Sequence, residues 1–153
     1  MERPIGLEHL FTITFFAPNL NPIGDTPHGK RFLANVDGGH FQGPRMTGTV
    51  HAPAGDWLLI RNDNSVQLDV RCSLVTDDDV RIFMSYQGLR VGEQSVLDRM
   101  AAGEEVDPNE YYMRTICRFE TGDEKYYWLN HLLAVGTGQR FPERVVYDVH
   151  QII

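Results

Sequence analysis

Between Gly55 and Val75 the chain reads GDWLLIRNDNSVQLDVRCSLV. This is a strand, a tight turn and a second strand. Trp57 to Arg61 is a run of large residues, Asn62-Asp63-Asn64 has turn chemistry, and Val66 to Val75 alternates strictly. Leu68, Val70, Cys72 and Leu74 share one face of that second strand; Gln67, Asp69, Arg71 and Ser73 share the other. An acid and a base two residues apart on one strand face lie either in water or in a cavity. That choice decides what such a chain can do.

The same punctuation continues on both sides. Strands are expected at Leu7 to Phe16, Lys30 to Val36 and His40 to Val50. Further strands are expected at Val80 to Gln87, Glu110 to Glu120, Lys125 to Val135 and Glu143 to Ile152. Ala17 to His28 is rich in Pro and Gly and reads as a loop crossing one end. Gly43 and Gly48 fall inside strand-like sequence, where glycine marks bends or close backbone approach, as closing a barrel requires. Gly136-Thr137-Gly138 reads as a turn. Ser95 to Ala102 is the single convincing helix, with Ser95 and Asp98 as a capping box and Gly103 as the stop. The expectation is an all-β fold: one antiparallel, lipocalin-like barrel domain over residues 1–153, with eight or nine strands and one short helix.

Composition excludes several partners. The chain has 21 acidic against 14 basic residues, a net charge of −7. No basic stripe is available for nucleic acid or an anionic membrane. No apolar run approaches the roughly 20 residues of a membrane helix. Leu10 to Pro18, the longest candidate, lacks a basic flank and a cleavage site, so no signal peptide is expected. Cys72 and Cys117 fall mid-strand without a spacing motif and read as buried free thiols of a reducing compartment, which points to the cytoplasm, with a disulfide as the competing reading.

Tyr112, Arg114, Ile116, Arg118 and Glu120 share one parity, and so do Tyr126, Trp128, Asn130 and Leu132. Faces rich in Tyr, Trp, Arg and Asn but nearly free of Lys suit a ligand cavity. The competing reading is a core with an ion pair, Asp69 with Arg114, that only fixes register. If the polar parity faces inward, Leu68, Val70, Leu74, Leu129 and Leu133 face outward. Such a patch leads to the expectation of a homodimer.

Several stretches also resemble a known family. TPHGKR (26–31), GGHFQGP (38–44), GDW (55–57), LDVRCSL (68–74), TDDD (76–79), YYMRT (111–115) and RFETGDEKYYWLN (118–130) are similar to the bacterial and fungal family of unknown function DUF3237, also called UPF0311. The resemblance spans nearly the whole chain and implies a compact antiparallel barrel. The family pattern usually has glycine where Asp79 stands, which bears on the turn type there. The resemblance carries over Asp69, Arg71, Tyr112, Arg114, Trp128 and Asn130, together with His40 and Glu120, as site candidates.

No phosphate loop, CxxC, HExxH or nucleophile elbow occurs. No cofactor and no metal is expected. Acid–base chemistry remains. Asp69 or Glu120 would take a proton, Arg71 would orient Asp69, and Tyr112 or Arg114 would stabilise an enolate or alkoxide. Trp128 would stack on a flat substrate, with Asn130 and His40 as further contacts. The expected function is binding of a small molecule, with cofactor-free isomerase, lyase or cyclase activity on a carbonyl-bearing aromatic or polyketide-like compound. A non-catalytic carrier and an assembly module with a filled core stay open as alternatives.

Overall fold

A computed structural model describes residues 1–153. In chain order the strands are β1 (Leu7–Phe16), β2 (Asn19–Thr26), β3 (Gly29–Val36), β4 (Gly38–Gln42), β5 (Thr47–Asp56), β6 (Leu59–Ile60), β7 (Val66–Thr76) and β8 (Arg81–Gly92). Helix α1 (Gln94–Ala101), a 3₁₀ turn at Pro108–Glu110 and β9 (Tyr111–Glu120) follow. A 3₁₀ segment (Glu124–His131), β10 (Ala134–Arg140) and β11 (Arg144–Ile152) complete the chain. Every strand pairing is antiparallel. The order β3-β5-β4-β1-β11-β10-β9-β8-β7-β6 closes through β6 on β3, and β5 also pairs with β7. Ten strands therefore form a barrel, and β2 flanks it on β3 alone.

Five details differ from the sequence reading. Ala17 to His28 holds strand β2, not a loop. Pro22 is tolerated there because β2 is an edge strand with a register break between Pro22 and Gly24. His40 to Val50 is two strands, β4 and β5, separated at Gly43. Lys125 to Val135 is not a strand: Asp123 accepts from the Lys125 N–H and starts 3₁₀ turns up to His131. Gly136 and Gly138 lie within β10 instead of in a turn. Finally, α1 begins one residue earlier than expected, without a side-chain cap; Gln94 instead donates to Asp98 at 2.7 Å. Gly103 does end the helix, at φ +87°. Asp79 adopts the left-handed conformation (φ 64°) that glycine would supply, and its N–H closes the turn onto the Thr76 carbonyl.

The largest correction concerns parity. The apolar parity faces inward. Leu68, Val70, Cys72 and Leu74 are all buried, as are Ile82, Met84 and Tyr86 on β8 and Met113, Cys117 and Phe119 on β9. One end of the barrel is plugged by aromatic contacts. Phe11 lies 5.5 Å from Phe41 and 5.9 Å from Phe119, ring centre to ring centre. Leu129 is also fully buried, so of the five residues expected outside only Leu133 is exposed. The apolar patch on which the homodimer expectation rested is therefore not on the surface. Both cysteines are free and buried, and burial pushes their thiols up, to about 12 for Cys72 and about 11 for Cys117. No helix is long and apolar enough to cross a membrane.

Candidate functional site

The end of the barrel opposite the Phe11 plug is not filled. It encloses a cavity of about 280 Å³. Cross-strand pairing explains which residues reach it. Directly opposite residues share a face, so Ala34 of β3, Asp56 of β5, Val70 of β7 and Tyr86 of β8 form one inward row. A second row brings Val66 of β7, Arg90 of β8 and Met113 of β9 together. Tyr147 of β11 opposes Gly138 of β10, and a Cβ on Gly138 would lie 2.6 Å from the Tyr147 ring. Glycine at 138 thus makes room for that tyrosine. Leu97 and Ala101 of α1 and Phe141 close the rim.

The walls are mostly apolar, with polar groups among them that include Asp56, Tyr86, Arg90, Arg140 and Tyr147. The Tyr86 and Tyr147 rings meet edge to face at 5.2 Å, and Phe15 packs on both. Burial raises both phenols above their ordinary range. Arg140 donates to the Met100 carbonyl of α1 at 3.3 Å, and its own N–H donates to the Tyr111 hydroxyl.

Asp56 and Arg90 carry the electrostatics. Asp56 accepts a hydrogen bond from the Asp69 N–H at 3.0 Å. Burial still pushes its carboxyl up from 3.8 to about 6, against the opposing pull of that bond and of nearby Arg90. Burial, with the nearby Arg140 charge, lowers Arg90 to about 10, so the guanidinium stays charged at neutral pH. The three ion pairs of the structure are on the surface and none includes Arg90. Its Nε is enclosed and has no hydrogen-bond partner, the one buried side-chain nitrogen or oxygen in that condition. A buried donor without a partner costs roughly 1–3 kcal/mol. No cluster of three or more His, Cys, Asp or Glu converges in a way that could hold a metal ion.

The residues singled out from sequence lie elsewhere. Asp69 is half-buried on the outer wall and reaches the cavity only through its main chain. Arg71 and Glu120 are exposed. Tyr112 and Arg114 do meet, the guanidinium 5.1 Å from the ring centre, but outside, where Arg114 donates to the Met113 carbonyl. Trp128 sits in the 3₁₀ segment under the Arg45 guanidinium, 3.5 Å from the ring centre. Asn130 bridges the Thr121 N–H and carbonyl at 2.9 and 2.8 Å. His40 is exposed beside Phe16. None of these eight side chains lines the cavity.

Two signals could have found the cavity residues. Ile82, Met84, Tyr86, Gly88 and Arg90 share one parity, so an apolar strand face ends in a tyrosine and an arginine. The expected strand stopped at Gln87 and lost Arg90. Asp56 was visible within GDW but is separated from the alternation of β5 by the register break between His51 and Gly55.

Fold and cavity together define an antiparallel barrel whose mostly apolar cavity is also lined by charged groups and two tyrosines. Residues 5–152 match the family described as "Protein of unknown function (DUF3237)", and the chain belongs to that family. A UPF0311 protein of Rhodopseudomonas palustris is 34% identical over 153 residues, all of both chains. A crystal structure of a protein of unknown function from that organism superposes with a TM-score of 0.96 at 33% identity, covering 99% of this chain and 100% of the other. A β-barrel-like protein of Acinetobacter baumannii gives 0.88 at 32% identity over 100% and 99%. At 21% identity, a structure described as an enzyme from Penicillium herquei shares the fold, with a TM-score of 0.74 over 100% and 98% of the two chains.

Proposed function

We propose that this barrel is a cofactor-free acid–base enzyme acting on a small carbonyl-bearing compound, in the isomerase, lyase or cyclase class. The reading rests on one observation: a carboxylate and a guanidinium with an unpartnered Nε share the mouth of one apolar cavity. Asp56 serves as the proton acceptor and donor. A base works best when its pKa lies near the working pH, and burial brings Asp56 to about 6. Arg90 is the donor for the oxygen on which negative charge develops. Its charged guanidinium stands in a largely buried wall, where its attraction for that oxygen is stronger than in water. Tyr147 supplies a further O–H donor at that oxygen, and its own oxygen accepts from Tyr86 behind it. Phe15, Val70 and Met113 receive the flat apolar part of the substrate. The description of the Penicillium herquei neighbour as an enzyme makes the fold compatible with catalysis.

The test is carbon-bound hydrogen exchange in D₂O. A panel of enolisable aryl ketones is incubated with the protein and followed by proton NMR. Wild type is expected to accelerate deuterium incorporation at the position next to the carbonyl, and Asp56→Asn to abolish the acceleration. Binding of panel members without any exchange would instead identify a carrier.

A further inference from the structure

Beside the barrel mouth lies a second, more polar space. It is a cleft of about 550 Å³ between the 59–66 hairpin, the start of β3 and helix α1. Four residues, Ile60, Arg90, Leu97 and Ala101, border both this cleft and the barrel cavity. The two spaces therefore share a wall of four residues. The barrel cavity alone is at the small end of the roughly 300–1,000 Å³ typical of ligand sites. Arg90, with its unpartnered Nε, stands at the junction.

The cleft has its own chemistry. Asn64 donates to Gln94 at 2.8 Å and Gln94 to Asp98 at 2.7 Å, so a connected chain of amide and carboxylate groups lines one wall. Asp25 and Lys30 line the other side. Apart from Arg90, the lining holds two acids, Asp25 and Asp98, and two bases, Lys30 and Arg61, so the cleft itself favours no net charge. Amides and carboxylates side by side satisfy groups that both donate and accept, and hydroxyls are such groups.

We infer that cavity and cleft form one two-part site for an elongated amphiphile: a flat apolar group inside the barrel, a carbonyl or anionic oxygen at Arg90, and a neutral hydroxyl-rich group, of the sugar or polyol kind, in the cleft. This rests on the cavity being the substrate site proposed above. It adds a second half to that site and a chemical class for the substrate's outer end. Asp98 and Gln94 become recognition residues for hydroxyls, and α1, which carries both, becomes part of the binding wall.

The experiment compares two probes by isothermal titration calorimetry with the full chain. One is methyl 2-naphthoate; the other is the ester of 2-naphthoate with the anomeric hydroxyl of glucose. Both present the same ring and ester carbonyl, and only the second carries hydroxyls beyond it. Wild type is expected to bind the glucose ester at least about tenfold more tightly, the return on one or two net hydrogen bonds. Asp98→Ala is expected to remove most of that gain while leaving methyl ester affinity within about twofold, because Asp98 borders the cleft alone. Equal affinity for the two esters in wild type would overturn the inference and leave the cavity reading standing. So would an Asp98→Ala variant that keeps the full gain. Failure of both esters to bind would overturn the inference together with the cavity reading.

Discussion

The Asp69 main-chain N–H donates to the Asp56 carboxylate at 3.0 Å. The Asp69 carbonyl in turn accepts from the Trp57 N–H at 2.9 Å. One residue of β7 thus anchors the end of β5 from both sides and holds Asp56 at the cavity mouth. The acid that looked like the proton acceptor in the sequence positions, through its backbone, the acid that faces the cavity. An asparagine at 56 can still accept that N–H, so Asp56→Asn removes the charge and keeps the anchor.

Stability should therefore depend on pH through Asp56. Its folded pKa of about 6 lies above the ordinary 3.8, so the folded chain holds this proton more tightly than the unfolded one. The group's contribution is most favourable below about pH 4, falls as pH rises to about 6, and is flat beyond. The shift corresponds to a loss on the order of 3 kcal/mol. Asp56→Asn is expected to melt several degrees above wild type at pH 7 and level with it at pH 4. Parallel melting curves across that range would show that Asp56 is not so perturbed.

Arg90→Met keeps an apolar stem and removes a buried donor that has no partner. At pH 5, where Asp56 is mostly protonated, the apo variant is expected to be as stable as wild type or more so, because a desolvation cost disappears. The Asp56 carboxyl should move above its present value of about 6, since Arg90 now pulls it down. Thermal melts and a ¹³C-carboxyl NMR titration read the two effects. A collapse of stability at pH 5 would make Arg90 a structural residue.

Gly138→Ala tests the packing beneath the cavity. The new Cβ would lie 2.6 Å from the Tyr147 ring and 2.9 Å from the Met113 side chain. Overpacking of this kind costs typically about 1–3 kcal/mol. We expect a lower urea midpoint and weaker binding of any cavity ligand, because Tyr147 must shift. An unchanged midpoint would mean that the wall is softer than its contacts indicate.

Arg114→Met separates the outer wall from the inner one. Arg114 is exposed and packs on Tyr112, so its loss should change stability by no more than about 0.5 kcal/mol. Binding in the cavity should be unaffected. Either a large destabilisation or a loss of cavity binding would restore it to the site.

The period-2 alternation of β1, β7, β9 and β11, the glycine-marked bends, the helix stopped by Gly103 and the family motifs were all legible in the chain. They determined a single antiparallel barrel. Alternation defines two faces but does not say which is enclosed. Arginines stacked on Tyr112 and Trp128 make an outer wall that resembles a binding surface in composition, because their apolar planes cover rings while the charge stays in water. Only closure of the sheet decided that Leu68, Val70 and Leu74 fill the interior. The functional candidates were harder still to read, for a local reason. Asp56 and Arg90 sit near the ends of their strands, one beyond a register break and the other beyond the expected strand end. The side they face is set by pairing with Val70 and Met113, residues far away in the chain. Their proximity and their shared burial are products of that pairing, so tertiary structure alone could bring an acid and a base into one cavity.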